Sequence, residues 1–129
     1  MGSTDAIKTH RQIRVNNQTR EQVLVTTGRA ADNMWTRLRG LIGSKPLADG
    51  EGLLIVPCSS VHTHFMSFPI DVVYVDRDQK VVAIDQEMAP WRFGRMRKGV
   101  RFVIELPPGT AAATGTVAGD QLQVEGHDL

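Results

Sequence analysis

Only one cysteine, Cys58, occurs in the 129 residues, so the chain cannot close an internal disulfide and does not read as a disulfide-framed secreted scaffold. Charge imbalance is nearly absent too: 15 Lys and Arg stand against 14 Asp and Glu, a formal net charge of +1. A molecule so balanced has no overall field to draw it onto nucleic acid or anionic lipid, and any such affinity must be local. Met1 to His10 holds Asp5, Lys8 and His10 and no apolar run, so neither a signal peptide nor a membrane anchor is read there. No internal repeat, low-complexity tract or long linker marks the start of a second domain. These absences predict a cytoplasmic protein with no membrane contact and no general affinity for nucleic acid. They leave its oligomeric state open.

What is present is ordinary globular material, 41% hydrophobic and 22% charged. A chain of this length buries roughly two-thirds of its unfolded surface, enough for one core without staples. Residues 1–11 are expected to be a loose tail and 12–129 a single domain. Gln12 to Val15 and Gln22 to Thr26 are short β-prone runs around Asn16, Asn17 and Gln18, which predicts a hairpin. After Asp32, an N-cap residue, Met34, Trp35, Leu38, Leu41 and Ile42 form one helical stripe, stopped by Gly43 and Pro46.

From Leu53 onward the pattern is that of strands. Leu53 to Val56 is a continuous apolar run between Gly52 and Pro57, which predicts burial on both faces. Ile70 to Val75 and Val81 to Ile84 flank the turn residues Asp76 to Gln79 and predict a second hairpin. Val100, Phe102, Ile104 and Leu106 alternate with Arg101, Val103 and Glu105, the pattern of a half-buried strand, ended by Pro107, Pro108 and Gly109. Gly119 and Asp120 turn the chain into a last strand at Leu122 and Val124. The fold class expected is mainly β (α+β): a β-sandwich or partly open β-barrel of seven or eight short strands with one packed α-helix, Asp32 to Ile42.

Polar chemistry concentrates between Pro57 and Asp71, where Cys58, His62 and His64 stand. Were Ser60 to Met66 extended, His62, His64 and Met66 would share one face, opposite Val61, Thr63 and Phe65. Two histidines so spaced, roughly 6 to 7 Å apart at Cα, suit zinc. Cys58 would lie roughly 13 Å from His62 in extended chain, and no second cluster supplies the missing ligands, so no metal site is assigned. Cys58 could also act as a nucleophile with His62 or His64 as base and Asp71 as orienter, although a single thiol after a buried strand is more often a small core residue. Asp71 heads the apolar row of Val73 and Val75 and needs a partner, either loop amides, an arginine or a ligand. Trp91 to Gly99 holds Arg92, Arg95, Arg97 and Lys98 with two aromatics, a loop able to clamp phosphate or carboxylate if it is more than a solvated connection.

The run RLRGLIGSKPLADGEGLLIVPCSSVHTHFMSFPIDVVYVDRDQKVVAI, followed by PWR, ELPPGT and GD, resembles the DUF 192 family, also called UPF 0127, over about Val23 to Val124. The resemblance implies a small β-sandwich or barrel with one packed helix, and it brings no activity with it. By matching position it marks His62, Thr63, Met66, Pro69, Asp71, Glu105, Gly109, Gly119 and Asp120, together with Cys58, Trp91 and Arg92; His64 departs from the pattern.

The function read from these residues is a binding module with a groove for a small polar or anionic ligand. Its ligand-binding candidates are His62, Asp71, Trp91, Arg92, Cys58, Met66 and Glu105. Two alternatives stand beside it: a hydrolase-like enzyme using His62 with Cys58 or a metal, and a protein–protein interaction module offering a sheet edge or the basic loop. No catalytic residue and no cofactor is assigned.

Overall fold

The structure, a computed structural model, describes residues 12–31, 46–57, 68–90, 92, 94, 95 and 97–127. Among these residues, seven strands form one sheet: β1 (Gln12–Asn17), β2 (Gln22–Ala31), β3 (Glu51–Ile55), β4 (Ile70–Asp76), β5 (Val81–Met88), β6 (Val100–Leu106) and β7 (Leu122–Glu125). A short helix, α1 (Thr110–Thr114), precedes the last strand. The strand order is β5-β4-β6-β3-β2-β1-β7. Neighbours are antiparallel except β2 and β3, which run parallel.

That parallel pair has a consequence for the chain between its strands. A hairpin cannot join parallel neighbours, and the end of β2 at Ala31 and the start of β3 at Glu51 accordingly lie at opposite ends of the pair. The helix expected at Asp32 to Ile42 falls in this connection and lies outside the described residues, as does the expected strand at Ser60 to Met66. Both expected hairpins form, β1 with β2 and β4 with β5. The first differs in its turn, which occupies residues 18–21, while Asn16 and Asn17 belong to the strand.

The sheet is open and strongly curled. Among the described residues, its two outermost strands approach at a corner, through a bridge between Lys80 and Gln121, the residues just before β5 and β7. There the Val81 N–H donates to the Asp120 carbonyl (2.9 Å), the Gly119 N–H to the Val81 carbonyl (2.8 Å) and the Leu122 N–H to the Gln79 carbonyl (2.8 Å). The curl encloses an inner core to which every strand contributes: Ile13, Val15, Leu24, Val25, Leu54, Val73, Val75, Val81, Phe102, Ile104, Leu106 and Leu122. A second apolar cluster, with Leu53, Ile55, Ile70, Val72, Tyr74 and Val103, occupies the outer face of the central strands. β3 is therefore buried on both sides, as its unbroken apolar run predicts. β6 is too, contrary to the half-buried reading of its alternation, because it lies between β3 and β4 and Val103 faces the second cluster.

Curling so tightly needs local relief. Ile13 faces Gly28 while Val15 faces Val25, so β2 spends an extra residue there, a bulge that bends the strand. Gly28 and Gly52 are directly opposed on β2 and β3. A Cβ at Gly52 would stand 2.6 Å from Val25 Cγ2, and one at Gly28 would stand 2.7 Å from Val25 Cγ1. The bulge thus lays Val25 across two positions where only hydrogen fits.

Two polar ties hold the corner where the sheet edges meet. In the β4–β5 turn, Asp76 Oδ1 accepts from the N–H groups of Asp78 (2.8 Å) and Lys80 (2.9 Å). Across from it, Asp120, 3% exposed, receives Arg20 Nε (3.0 Å), Arg20 Nη2 (3.2 Å), Asn17 Nδ2 (3.0 Å) and the Val117 N–H (3.1 Å). The hydrogen bond from Arg20 is the main reason its carboxyl is held down to about 2 from an ordinary 3.8. A carboxyl lowered on folding stabilises the fold above its unfolded value, and that contribution is lost as pH falls through the folded value. Because Arg20 is itself 41% exposed and screened by water, we expect the loss between pH 4 and pH 2 to be about 1–2 kcal/mol. Urea titrations at those pH values should show a smaller acid sensitivity in Asp120→Asn than in the parent chain. Equal sensitivity would remove Asp120 as its source.

Candidate functional site

The end of β5 is shaped by a buried carboxylate beneath it. Ile70 pairs with Met88 and Val72 with Asp85, so Asp71 opposes two residues, Gln86 and Glu87, in a bulge. Glu87 takes a left-handed backbone, φ 50°, which a side chain tolerates only where its surroundings enforce it. Asp71 supplies the enforcement: Oδ1 accepts the Glu87 N–H at 2.8 Å, and Oδ2 accepts the Ala111 N–H of α1 at 2.9 Å. The carboxylate is completely buried, and it ties the bulge to the helix lying over that end of the sheet.

On the outer face, the bulge turns β5 toward a cluster built on Tyr74. The Tyr74 ring is buried and its hydroxyl donates to Asp85 Oδ2 at 2.7 Å. Arg97 lies over the ring, 4.4 Å from its centroid, and its Nη2 donates to Asp85 Oδ1 at 3.1 Å. Burial, reinforced by the bond to Asp85, raises the Tyr74 hydroxyl well above its ordinary value and keeps it protonated. Burial works against the charge of Arg97, but the hydrogen bond and charge of Asp85 outweigh it and its pKa is raised. The result is a neutral phenol, a carboxylate with both oxygens engaged, and a guanidinium with a fixed position.

Beside this cluster opens a cleft of about 450 Å³ lined by Ile84, Asp85, Gln86, Met88, Ala89, Arg92, Arg95 and Arg97. Three guanidinium groups face one carboxylate, and that carboxylate is already shared by Tyr74 and Arg97. Arg95 is exposed and has no carboxylate partner among the described residues. Such a cleft presents planar, bidentate donors suited to phosphate or carboxylate oxygens.

Of the residues singled out from sequence, Arg92 lines this cleft. Asp71 lies behind it on the inner face with Val73 and Val75, where it braces the bulge. Glu105, completely buried, projects to the outer face with Val103. It aligns through Val72 with Asp85, two strands and about 10 Å away. Asp71 and Glu105 therefore point to opposite faces of the sheet and do not share a site. Cys58, His62, Met66 and Trp91 lie outside the described residues. Among the described residues, no group of three or more His, Cys, Asp and Glu is placed to hold a metal ion. No helix there is long and apolar enough to cross a membrane. Tyr74 and Asp85 escaped sequence reasoning; the available signal was an acid at Asp85 breaking the apolar run from Val81 to Ile84.

A curled seven-stranded mixed sheet with a short helix over one end defines a class of small β domains. The chain belongs within it to the DUF192 family, described as Uncharacterized ACR, COG1430, whose family model matches residues 14–124. It is 30% identical over 114 residues to a UPF0127 protein of Thermococcus sibiricus, covering 84% of this chain and 73% of that protein. It is 31% identical over 100 residues to a UPF0127 protein of Pyrococcus furiosus, covering 74% and 84% respectively. Two crystal structures share the fold. A protein of Sinorhizobium meliloti, described as a candidate transcription regulator, superposes with a TM-score of 0.75 at 21% identity, over 91% of this chain and 95% of that one. A protein of unknown function from Novosphingobium aromaticivorans superposes with a TM-score of 0.73 at 21% identity, over 87% and 83%.

Proposed function

We propose that this domain is a binding module whose cleft at the end of β5 takes a small anion, a phosphate or carboxylate. The observation that carries the reading is the convergence of Arg92, Arg95 and Arg97 on one opening where Asp85, the one carboxylate among the described lining residues, is already engaged. Arg97 is held in place by Tyr74 and Asp85 before any ligand arrives, so little of its side-chain freedom remains to be lost on binding. The bulge, fixed by Asp71 at Glu87, reaches the opening through its other residue, Gln86.

Inorganic phosphate and a short dicarboxylate, titrated at low ionic strength, should raise the thermal midpoint. At ten times the dissociation constant, the stabilisation should be about 1.4 kcal/mol. Arg95→Glu should abolish that stabilisation while leaving the unliganded midpoint within about 0.5 kcal/mol of the parent, because Arg95 is exposed. Absence of any anion-dependent shift in the parent chain would overturn the reading.

A further inference from the structure

Ile84, Asp85 and Gln86 are consecutive in a strand, so their side chains alternate between the two faces of the sheet, yet all three line the same cleft. Only an opening that runs along the rim of the strand meets both faces at once. β5 is that rim. It pairs with β4 on one side and, on the other, among the described residues, approaches β7 at the Lys80–Gln121 bridge and at Val81. Over the rest of its length, Val82 to Met88, no described strand pairs with that side.

Edge strands invite pairing, and folds usually blunt them by shortness, proline or lysine. At the opposite edge, β7 has four residues. β5 has eight, reading VVAIDQEM, with neither proline nor lysine, and Val82 to Asp85 are only half-buried. It is irregular at Val82, opposite the step from Tyr74 to Val75, and at Gln86 and Glu87, where the basic cleft begins; between the two, Ala83 to Asp85 pair regularly with β4.

We propose that the rim of β5 and the arginine cleft together receive an extended acidic peptide segment of a partner protein, added as an eighth strand. The main chain of the segment pairs with the regular stretch Ala83 to Asp85, and its acidic side chains meet Arg92, Arg95 and Arg97. Charge complementarity selects the occupant: a basic or neutral segment gains the ladder but nothing from the cleft. This inference rests on the anion-binding reading of the same cleft, which it extends from a small anion to a carboxylate carried on a strand.

The full chain, labelled with nitrogen-15, is titrated with three synthetic hexapeptides: alternating Val and Glu, the same sequence N-methylated at alternate residues, and alternating Val and Lys. The Val–Glu peptide should shift the amide signals of Val82 to Gln86, N-methylation should weaken it at least about tenfold by removing two or three hydrogen bonds, and Val–Lys should not bind. Arg95→Glu should weaken the Val–Glu peptide by a similar factor. Equal binding of the N-methylated peptide, or shifts that bypass β5, would overturn the strand-addition inference. Equal binding of Val–Lys, or indifference to Arg95→Glu, would overturn the acidic partner. Phosphate binding without any peptide binding would overturn this inference alone and leave the small-anion reading standing, whereas failure of phosphate, dicarboxylate and peptides alike would remove both.

Discussion

Asp71→Ala should lower the stability of the domain by about 3–5 kcal/mol, a large part of the roughly 5–15 kcal/mol that holds a domain together. Two N–H groups, that of Ala111 in the interior and that of Glu87 at a part-buried bond, lose the carboxylate that accepts from them. Hydrogen bonds to charged groups contribute about 1.5–3 kcal/mol each, and a buried donor left alone bears its full desolvation cost. The Glu87 backbone, at φ 50°, would also lose what holds it there. Asp71→Asn keeps one acceptor but presents a donor to the other N–H, so about half the effect is expected. Urea unfolding measures both: the midpoint should fall in the order parent, Asn, Ala with an unchanged slope. An Asp71→Ala protein within 1 kcal/mol of the parent would show that the carboxylate does not brace the bulge.

Phe102→Ala should be comparably severe. Phe102 is fully buried on β6, one of the central strands, and packs in the inner core with residues from all seven strands. Removing a buried phenyl ring costs about 3–5 kcal/mol, the lost transfer energy plus the cavity left when neighbours cannot close in. Strands registered on both sides of β6 limit that collapse. Val117→Ala is the control, since Val117 is 47% exposed and should move stability by no more than about 0.5 kcal/mol. Unfolding by urea, followed by circular dichroism, compares the two. A Phe102→Ala cost close to that of Val117→Ala would refute the single shared interior.

The strands were legible because their evidence is local. Apolar runs and alternation place β3, β4, β6 and β7, and turn residues place both hairpins. The parallel pairing of β2 with β3 was not legible, since pairing direction depends on what lies between strands rather than on their own sequence. Alternation misled at β6: Arg101 and Glu105 suggested a wet face, but strands on both flanks and Val103 in the second cluster bury it. The helix Thr110–Thr114 was hidden by its brevity, five residues after two prolines and a glycine. Asn17 looked like a turn residue by type; its amide instead donates to Thr116 and Asp120, partners about a hundred residues away that no local rule reaches.

The site divides in the same way. That Asp71 requires a partner followed from an acid heading an apolar row; the main-chain N–H groups it receives come from the bulge of β5 and from α1, not from a loop. The arginine-rich loop was visible as composition. Its meeting with Tyr74 and Asp85 was not, because the contact joins residues 74, 85 and 97 only after the β4–β5 hairpin has formed. Glu105 was marked by resemblance alone, and the outer face it occupies follows from register rather than from residue type.

Surface turns are ordinarily the most forgiving parts of a domain, open to insertion and drift. The corner joining Lys80 to Gln121 reverses that tolerance. Here the seam of the curled sheet is fastened by two bends, one shaped by Asp76 and the other by Asp120, and not by a ladder running its whole length. Lengthening either bend by a residue would unfasten the rims, letting water in beside Val81 and Leu122 although every strand kept its other neighbour. The interior of this protein is thus only as well closed as two small loops on its exterior.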